Sequence, residues 1–281
     1  MDPDLMLRTI RRAAMLLRAT PGRRGMVVHL PEDASEVLVA GDLHGNLTNF
    51  RAILEVADLE RRPKRHLVLQ EFIHSVARVP GGGDLSHRLL DVVCALKEKY
   101  PDRVHLLFGN HELAQWAGRR IAKDGTSLND LFRAGVETTY GPRAGEVLEA
   151  YDELFSSLNL AVRSANGLFA CHSIPTGRHL PEFDVGIFDR LGLDARDVGP
   201  ASSVYRLLWG KGVSPTTAER FLEIVGAELL VTGHIAQDAG FAVLNPRQIV
   251  VDCSRRPAAC ALVPVDRPFE SARLDCYIRM L

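Results

Sequence analysis

Short apolar runs alternate with segments of helical periodicity along most of the chain, and this pattern predicts strands joined by helices. The runs typical of buried strands cover residues 37–40, 66–69, 104–108 and 229–231. Amphipathic segments follow the first two runs, and the third leads straight into a short helical run. Ser86 is expected to cap the helix that comes after the second run. Repeated strand–helix units of this kind are typical of an α/β fold.

Two helical segments stand apart from this alternation. Residues 3–19 place apolar side chains at helical spacing between arginines, so we predict an amphipathic helix within an N-terminal extension of residues 1–25. A helix on a membrane surface would show the same pattern, but we favour a helix packed on the domain. Residues 113–158 carry helical patterns interrupted by glycines, and we expect a helical insertion that covers one side of the domain.

The composition is that of an ordinary globular protein, with 46% hydrophobic and 25% charged residues, and we expect a single domain spanning residues 1–281. The formal net charge of -1 gives no overall field that would attract nucleic acid, so no nucleic-acid partner is expected. No apolar run approaches the roughly 18 residues of a membrane span, so no membrane association is expected. The 5 cysteines are scattered without a C-x-x-C pair, which favours a reducing, cytoplasmic location. The oligomeric state is left open.

Polar side chains follow the ends of several predicted strands, where open α/β sheets bind their ligands. Asp42 and His44 lie two residues apart just past a strand, so both side chains can point toward one cation. Further donors follow other apolar runs: Glu71, Asn110, His172 and His234. Carboxylate, amide and imidazole donors together suit Mn, Fe or Zn better than Ca. Two such ions about 3.5–4 Å apart would activate water and hold phosphate oxygens.

The motifs at these positions resemble those of the calcineurin-like metallophosphoesterases. They are Gly41-Asp42-Leu43-His44-Gly45, Gly109-Asn110-His111-Glu112, the histidine at 172 and Gly233-His234. The resemblance covers about residues 36–265 and is closest to the serine/threonine protein phosphatase branch. The first two motifs together are specific, whereas an isolated Gly-His pair is a weak signal. The resemblance implies a fold of two packed mixed β-sheets flanked by helices, with the site at the sheet ends.

The resemblance also implies which residues would hold two divalent metal ions. One ion would be held by Asp42 and His44. The other would be held by Asn110, His172 and His234, and Glu71 falls at the position of the bridging ligand.

The same resemblance implies the chemistry of the site. A hydroxide held by the two ions would attack phosphorus in line, and His111 would protonate the leaving alkoxide as the general acid. Asn110 and Lys211 would contact the substrate phosphate. Glu112 is expected to support the turn of its own motif rather than to act in catalysis.

The second motif departs from the family pattern. Where the family has Gly-Asp-x-x-Asp-Arg-Gly, this chain has Gln70-Glu71-Phe72-Ile73-His74-Ser75-Val76. Glu71 keeps the charge of the bridging aspartate on a longer arm. His74 falls where an aspartate normally orients the catalytic histidine, and a neutral imidazole would not raise the pKa of His111 as a carboxylate does. Ser75 and Lys211 fall where two arginines hold the phosphate, and lysine supplies charge without the bidentate fork.

Two interpretations of these departures stay open. In the first, the enzyme is active, and the rebuilt segment supplies the lost contacts through His74, His87, Arg78 or Arg88. In the second, the protein binds metal but turns over slowly or not at all, and acts as a binding module. All six ligand positions keep side chains that can coordinate metal, which favours activity. The expected substrate is a phosphoserine or phosphothreonine protein, with a small phosphoester or a dinucleoside polyphosphate as the alternative.

Overall fold

Two β-sheets packed face to face form the centre of the protein in the computed structural model, which describes residues 2–75, 77–212 and 214–281. The side chains of Ala195 and Ser271 are outside this description, and so is Val76, the last residue of the divergent second motif. The strands are β1 (Arg23–Arg24), β2 (Val27–His29), β3 (Glu36–Asp42), β4 (Arg65–Gln70), β5 (Val104–Leu107), β6 (Ala122–Lys123), β7 (Thr126–Ser127), β8 (Ala161–Arg163), β9 (Leu168–Cys171), β10 (Leu229–Thr232), β11 (Phe241–Asn245), β12 (Gln248–Val251), β13 (Ala259–Pro264) and β14 (Ile278–Met280). The α-helices are α1 (Pro3–Arg18), α2 (Leu47–Ala57), α3 (His87–Lys99), α4 (Asn110–Trp116), α5 (Leu128–Tyr140), α6 (Ala144–Phe155), α7 (Ser203–Trp209) and α8 (Pro215–Val225).

Both large sheets are mixed. The first has seven strands in the order β1-β2-β8-β9-β10-β12-β11, and the second has five in the order β14-β13-β3-β4-β5. In the second sheet β3, β4 and β5 run parallel, and in the first sheet β9, β10 and β12 do so. Their carboxyl ends therefore meet at one edge of the molecule.

The strands near the centre bury both of their faces. Val37 and Val39 of β3 belong to the apolar layer between the two sheets, whereas Leu38 and Ala40 belong to the layer under the helices. This double burial explains why these strands are continuous apolar runs rather than alternating ones. The predicted α/β fold of two packed sheets flanked by helices is confirmed.

The N-terminal helix packs on the rest of the domain, against α3 and α6. Asp2 caps α1, because its carboxylate accepts hydrogen bonds from backbone N–H groups of the first turn. Just after the helix, the Thr20 hydroxyl accepts a hydrogen bond from the fully buried ammonium of Lys97 at 2.9 Å. Lys97 also donates to the carbonyl of Val104 at 3.0 Å, so it connects the end of α1 to the start of β5. Among the described residues, no helix is both long and apolar enough to cross a membrane.

Residues 113–158 contain α5 and α6, but also a small hairpin of β6 and β7 that the helical pattern does not predict. Asp124 and Gly125 between its strands have φ angles of 51° and 78°. Two successive residues with positive φ form the tight turn that joins hairpin strands. Strands of only two residues leave no period that could be detected in the sequence.

Two buried histidines connect β4 and β5. The Nδ1 atom of His66 lies 2.9 Å from Nε2 of His105, and the rings are stacked with their centroids 5.2 Å apart. Burial lowers the pKa of His66 to about 4 and holds the pKa of His105 well below its usual value. Both imidazoles are therefore neutral in the folded protein at neutral pH.

We expect this pair to make the protein less stable in mild acid. Between about pH 6.5 and pH 4 the unfolded chain binds protons at these histidines while the folded chain does not, so the free energy of unfolding falls as the pH falls. Between pH 7.5 and pH 5, the free energy of unfolding of His66→Gln, measured in urea, should fall by about 1–2 kcal/mol less than that of the wild type. His179→Gln, on a partly exposed histidine, is the control and should behave as the wild type. An unchanged pH dependence in His66→Gln would contradict the assignment.

Candidate metal centre

Strands from both sheets end at one edge and bring the predicted ligand residues together there. Asp42 is the last residue of β3, and Glu71 directly follows β4. Asn110 begins α4 after β5. From the other sheet, His172 directly follows β9, and His234 comes two residues after β10.

The backbone at this edge takes up conformations that are uncommon for residues with a side chain. Positive φ angles of 43°, 48°, 65° and 65° occur at His44, Glu71, His74 and His234, respectively. The backbone N–H groups of Leu43 and His44 both donate to the carbonyl of Glu71 at 2.9 Å, and the N–H of His234 donates to Oδ1 of Asp42 at 2.8 Å. Backbone strain of this kind concentrates at functional sites, where surrounding contacts hold it in place.

Glu112 connects the second motif to the third. Its Oε1 atom accepts hydrogen bonds from the backbone N–H groups of Phe72 and Ile73 at 2.8 and 3.1 Å, and its Oε2 atom accepts one from Gly109 at 3.1 Å. A Cβ atom at Gly109 would overlap the side chains of both Glu71 and Glu112, so this position requires glycine. Glu112 thus supports the turn, as its position in the motif predicts.

The tautomer of His172 is fixed by a glutamine that precedes Glu71. The Gln70 amide nitrogen donates to the carbonyl of Ala40 at 3.0 Å, so its Oε1 atom accepts a hydrogen bond from Nδ1 of His172 at 2.8 Å. The Nε2 lone pair of His172 then faces Oδ1 of Asn110 at 3.0 Å and Nδ1 of His234 at 3.2 Å. The Nε2 lone pair of His172 and the amide oxygen of Asn110 are both acceptors, and a cation between them would stabilise this arrangement. A metal ligand whose second ring nitrogen donates to an outer acceptor is the usual arrangement for histidine.

His44 shows the same arrangement on the opposite side of Glu71. Its Nδ1 atom lies 2.9 Å from the carbonyl of Ile73, which can only accept, so Nε2 carries the lone pair. That Nε2 atom lies 3.6 Å from Oε2 of Glu71, and Nε2 of His172 lies 3.6 Å from Oε1 of Glu71. The two carboxylate oxygens therefore face two different histidines. Burial, and next the neighbouring carboxylate of Asp42, raise the pKa of Glu71 well above its usual value, a repulsion that divalent cations would relieve.

Two groups of side chains at this edge could each hold a divalent ion. One consists of His44, Glu71 and His111, and the other of Glu71, His172 and His234; in each group the potential ligand atoms lie within 4.8 Å of one another. Asp42 lies next to both groups. Its carboxylate is close enough to Glu71 to raise the pKa of that residue, and its Oδ1 atom is 3.8 Å from Nδ1 of His172. Oxygen and nitrogen donors in this mixture fit a divalent transition metal.

His74 forms a hydrogen bond with His111. The two Nδ1 atoms are 2.7 Å apart, and Nε2 of His74 lies 3.3 Å from Oε1 of Gln115. Because Oε1 of Gln115 accepts a hydrogen bond from Nε2 of His74, Nδ1 of His74 has a lone pair and accepts a hydrogen bond from Nδ1 of His111. Burial lowers the pKa of His74 to about 4, and burial together with the neighbouring histidines holds the pKa of His111 well below its usual value. Both imidazoles are neutral near pH 7, in contrast to a histidine that faces a carboxylate.

Two lysines lie close enough to the site for their charges to act on its histidines. Lys211 is exposed, and its charge adds to the effect of burial in lowering the pKa of His234. Lys123 of the β6–β7 hairpin is exposed as well and helps to lower the pKa of His111. Lys123 could not be found from the sequence, because its hairpin has no recognisable period. Gln70 was also missed as a functional residue, although its place as the last residue of β4 puts it at the same edge as Glu71.

Within the part of the chain that the structure describes, no arginine forms a hydrogen bond or an ion pair with Glu71. Arg78 of the rebuilt segment donates to the carbonyl of Ser75, and its charge adds to the depression of the pKa of His74. Ser75 uses its hydroxyl to accept the backbone N–H of Ala77 at 2.9 Å.

The family model for calcineurin-like phosphoesterases matches residues 35–238 of this chain. The protein therefore belongs to the calcineurin-like phosphoesterase family. The family resemblance expected from the motifs is confirmed.

Individual relatives are more distant. A probable serine/threonine-protein phosphatase of Encephalitozoon cuniculi (strain GB-M1) is 26% identical in an alignment 245 residues long, and this alignment covers 80% of this chain and 47% of that protein. The chain thus spans about half the length of this curated relative. A protein serine/threonine phosphatase from Saccharomyces cerevisiae with similarity to human phosphatase PP5 has a TM-score of 0.69 at 16% identity, covering 100% of this chain and 89% of that one. The cold-active protein-tyrosine phosphatase of a psychrophilic Shewanella species has a TM-score of 0.60 at 14% identity, covering 91% and 82%. At these identities the solved structures establish the shared fold.

The position of Glu71 makes a prediction about metal content. Glu71→Ala should bind fewer than two equivalents of Mn²⁺, because each carboxylate oxygen faces a different ligand group, whereas Glu71→Asp should keep two. Elemental analysis after loading and gel filtration measures the stoichiometry. Glu149→Ala, on the exposed face of α6, is the control. Full occupancy in Glu71→Ala would exclude Glu71 as a bridging ligand.

Proposed function

We propose that this protein is a phosphoric-monoester hydrolase that uses two divalent metal ions, of Mn, Fe or Zn, and acts on phosphorylated serine or threonine side chains of proteins. The observation that carries the proposal is the place of the Glu71 carboxylate, each oxygen of which lies 3.6 Å from Nε2 of a different histidine. Because outer acceptors fix both histidine tautomers, both lone pairs point toward the same carboxylate.

The proposed ligand roles are those that the family motifs imply. Asp42 and His44 would hold one ion on one side of the carboxylate. Asn110, His172 and His234 would hold the other ion on the opposite side. When bound, the two ions supply Lewis acidity that activates water and neutralises charge on the phosphate oxygens.

The remaining residues of the site act on the substrate. The Asn110 amide and the Lys211 ammonium would hold the phosphate, and Lys123 would add a second positive charge from the hairpin side. His111 would act as the general acid in its imidazolium form: Nε2 would give its proton to the leaving oxygen, while the Nδ1 proton stays on His111 in the hydrogen bond to His74. Because a neutral His74 does not stabilise that imidazolium, His111 carries the Nε2 proton less often near pH 7 than a histidine paired with a carboxylate.

A phosphoprotein substrate is supported by the exposure of the site and by the relatives. The side chain of His44 is 25% exposed, so this half of the site can be reached from solvent by a phosphorylated side chain on another protein. Two of the similar proteins are described as serine/threonine phosphatases. The neutral His74–His111 pair favours a second candidate, a metal-binding module with weak turnover of alkyl phosphates.

Hydrolysis of p-nitrophenyl phosphate tests the proposed activity. Metal-stripped protein reloaded with Mn²⁺ should turn over this substrate, and Asp42→Asn should lose most of the activity, because it replaces an anionic ligand with a neutral amide. A panel of phosphoserine and phosphothreonine peptides and dinucleoside polyphosphates should then show a preference for the peptides. Two bound metals without turnover would support the binding module, and a preference for the nucleotides would replace the protein substrate with a small one.

The leaving group should decide how much His111 contributes. His111→Asn should lower kcat by about 10²-fold on a phosphoserine peptide, whose alkoxide needs a proton. The loss should be smaller on p-nitrophenyl phosphate, whose leaving group hardly needs one. Steady-state rates on both substrates make the comparison, and metal content serves as the control. Equal losses on the two substrates would count against His111 as the general acid.

A further inference from the structure

The hydroxyl group of Ser86 holds the backbone of His74. The N–H of His74 donates to Oγ of Ser86 at 3.1 Å, and His74 has a φ angle of 65°. Ser86 precedes α3, but its hydroxyl does not cap that helix as its position predicts. Instead it donates to Oδ1 of Asp84 at 2.5 Å, and the Ser86 backbone N–H donates to the same oxygen at 2.7 Å. Asp84 and Ser86 are both fully buried, so water does not compete for these bonds.

One face of helix α5 holds the segment of residues 83–87 in place. The backbone N–H of Asp84 donates to the carbonyl of Leu131 at 2.9 Å. Gly83 and Gly135 pack so closely that a Cβ atom on Gly135 would overlap the backbone of Asp84. His87 adds a contact of 2.8 Å between its Nε2 atom and the hydroxyl of Thr139.

The same face of α5 also contacts the imidazole of His74. The ring of Phe132 lies edge-on to His74, with the centroids 6.3 Å apart and the planes at 76°. Phe132 is fully buried and packs in turn against Tyr151 of α6. The backbone and the side chain of His74 are thus both fixed by groups anchored on α5.

An imidazole at position 74 requires more accurate placement than a carboxylate would. A carboxylate offers about four lone-pair sites to a neighbouring N–H group, whereas a neutral imidazole offers one, in the plane of its ring. A small rotation of His74 would therefore break its 2.7 Å hydrogen bond to His111, while a carboxylate would tolerate it.

We propose that Asp84, Ser86 and Gly135 are positioning residues that hold His74 so that it orients His111, which makes the helix α5 part of the hydrolytic apparatus. The catalytic consequence rests on the proposed function, in which His111 donates a proton to the leaving oxygen. The structural consequence, the hydrogen bond between His74 and His111, can be measured without any turnover.

Two variants test the proposal in the 281-residue chain. Ser86→Ala removes the group that holds the His74 backbone, and Gly135→Ala pushes the segment of residues 83–87 off α5. Each should lower kcat on a phosphoserine peptide by about 10–100-fold, because a displaced proton donor loses its alignment. The loss on p-nitrophenyl phosphate should be several-fold smaller, and the metal content should stay that of the wild type.

The matched controls lie on the same helix and on the next one. Thr138→Ala changes an exposed residue of α5, and Gly145→Ala adds a Cβ at a helical glycine of α6 with nothing within 4 Å. Both should keep wild-type rates on both substrates. Thermal unfolding of all four variants shows whether each one is folded at the assay temperature.

The second readout is nuclear magnetic resonance of the histidine rings in ¹⁵N-labelled, metal-free protein at one fixed pH. The wild type should show a slowly exchanging Nδ1 proton on His111, identified by its loss in His74→Phe. Ser86→Ala and Gly135→Ala should weaken or lose this signal, and the controls should keep it. An unchanged proton in both variants, or equal rate losses on the two substrates, would overturn the proposal. If the wild type has no turnover, the proposed function fails, and the proton signal alone decides whether these residues position His74.

Discussion

A carboxylate buried between two imidazole nitrogens is the interaction on which the rest of this structure depends. Burying Glu71 beside Asp42 is unfavourable, since each ionised carboxylate loses its hydration and the two repel one another. The outer acceptors of the histidines on both sides leave Nε2, the nitrogen that faces Glu71, free to act as a ligand. Cations between these groups would relieve the repulsion, and the strained backbone at Glu71, His44 and His234 holds the side chains close together.

The departures in the second motif change the proton chemistry more than the ligand set. Glu71 still lies between the two ligand groups despite its longer arm, and a glycine at position 109 leaves room for it. At position 74, however, a neutral imidazole replaces an anion, and its pKa of about 4 keeps it neutral over the physiological range. We infer that the chain keeps the means to bind metal while its capacity to protonate a poor leaving group depends on how accurately His74 is held.

The ends of the central strands could be predicted from the sequence. These strands are buried on both faces and are therefore continuous apolar runs, and each candidate ligand lies at the end of such a run. Asp42, Glu71 and His172 could be placed at one edge for that reason alone. The conformation of residues 83–87 could not be predicted, since it depends on contacts with α5 that are distant in sequence. Ser86 illustrates the difficulty: it has the local signature of a helix cap, yet a buried aspartate and the backbone of His74 compete successfully for its hydroxyl. The β6–β7 hairpin, which carries Lys123, could not be predicted, because strands of two residues are too short to show an alternation of apolar and polar residues.

Anomalous diffraction at the manganese edge, from crystals of the protein grown with Mn²⁺, would locate the bound ions. We expect two anomalous peaks about 3.5–4 Å apart, one on the His44 side and one on the His172 side, with a Glu71 oxygen bound to each. A single peak, or two peaks from which the Glu71 carboxylate is turned away, would contradict this expectation.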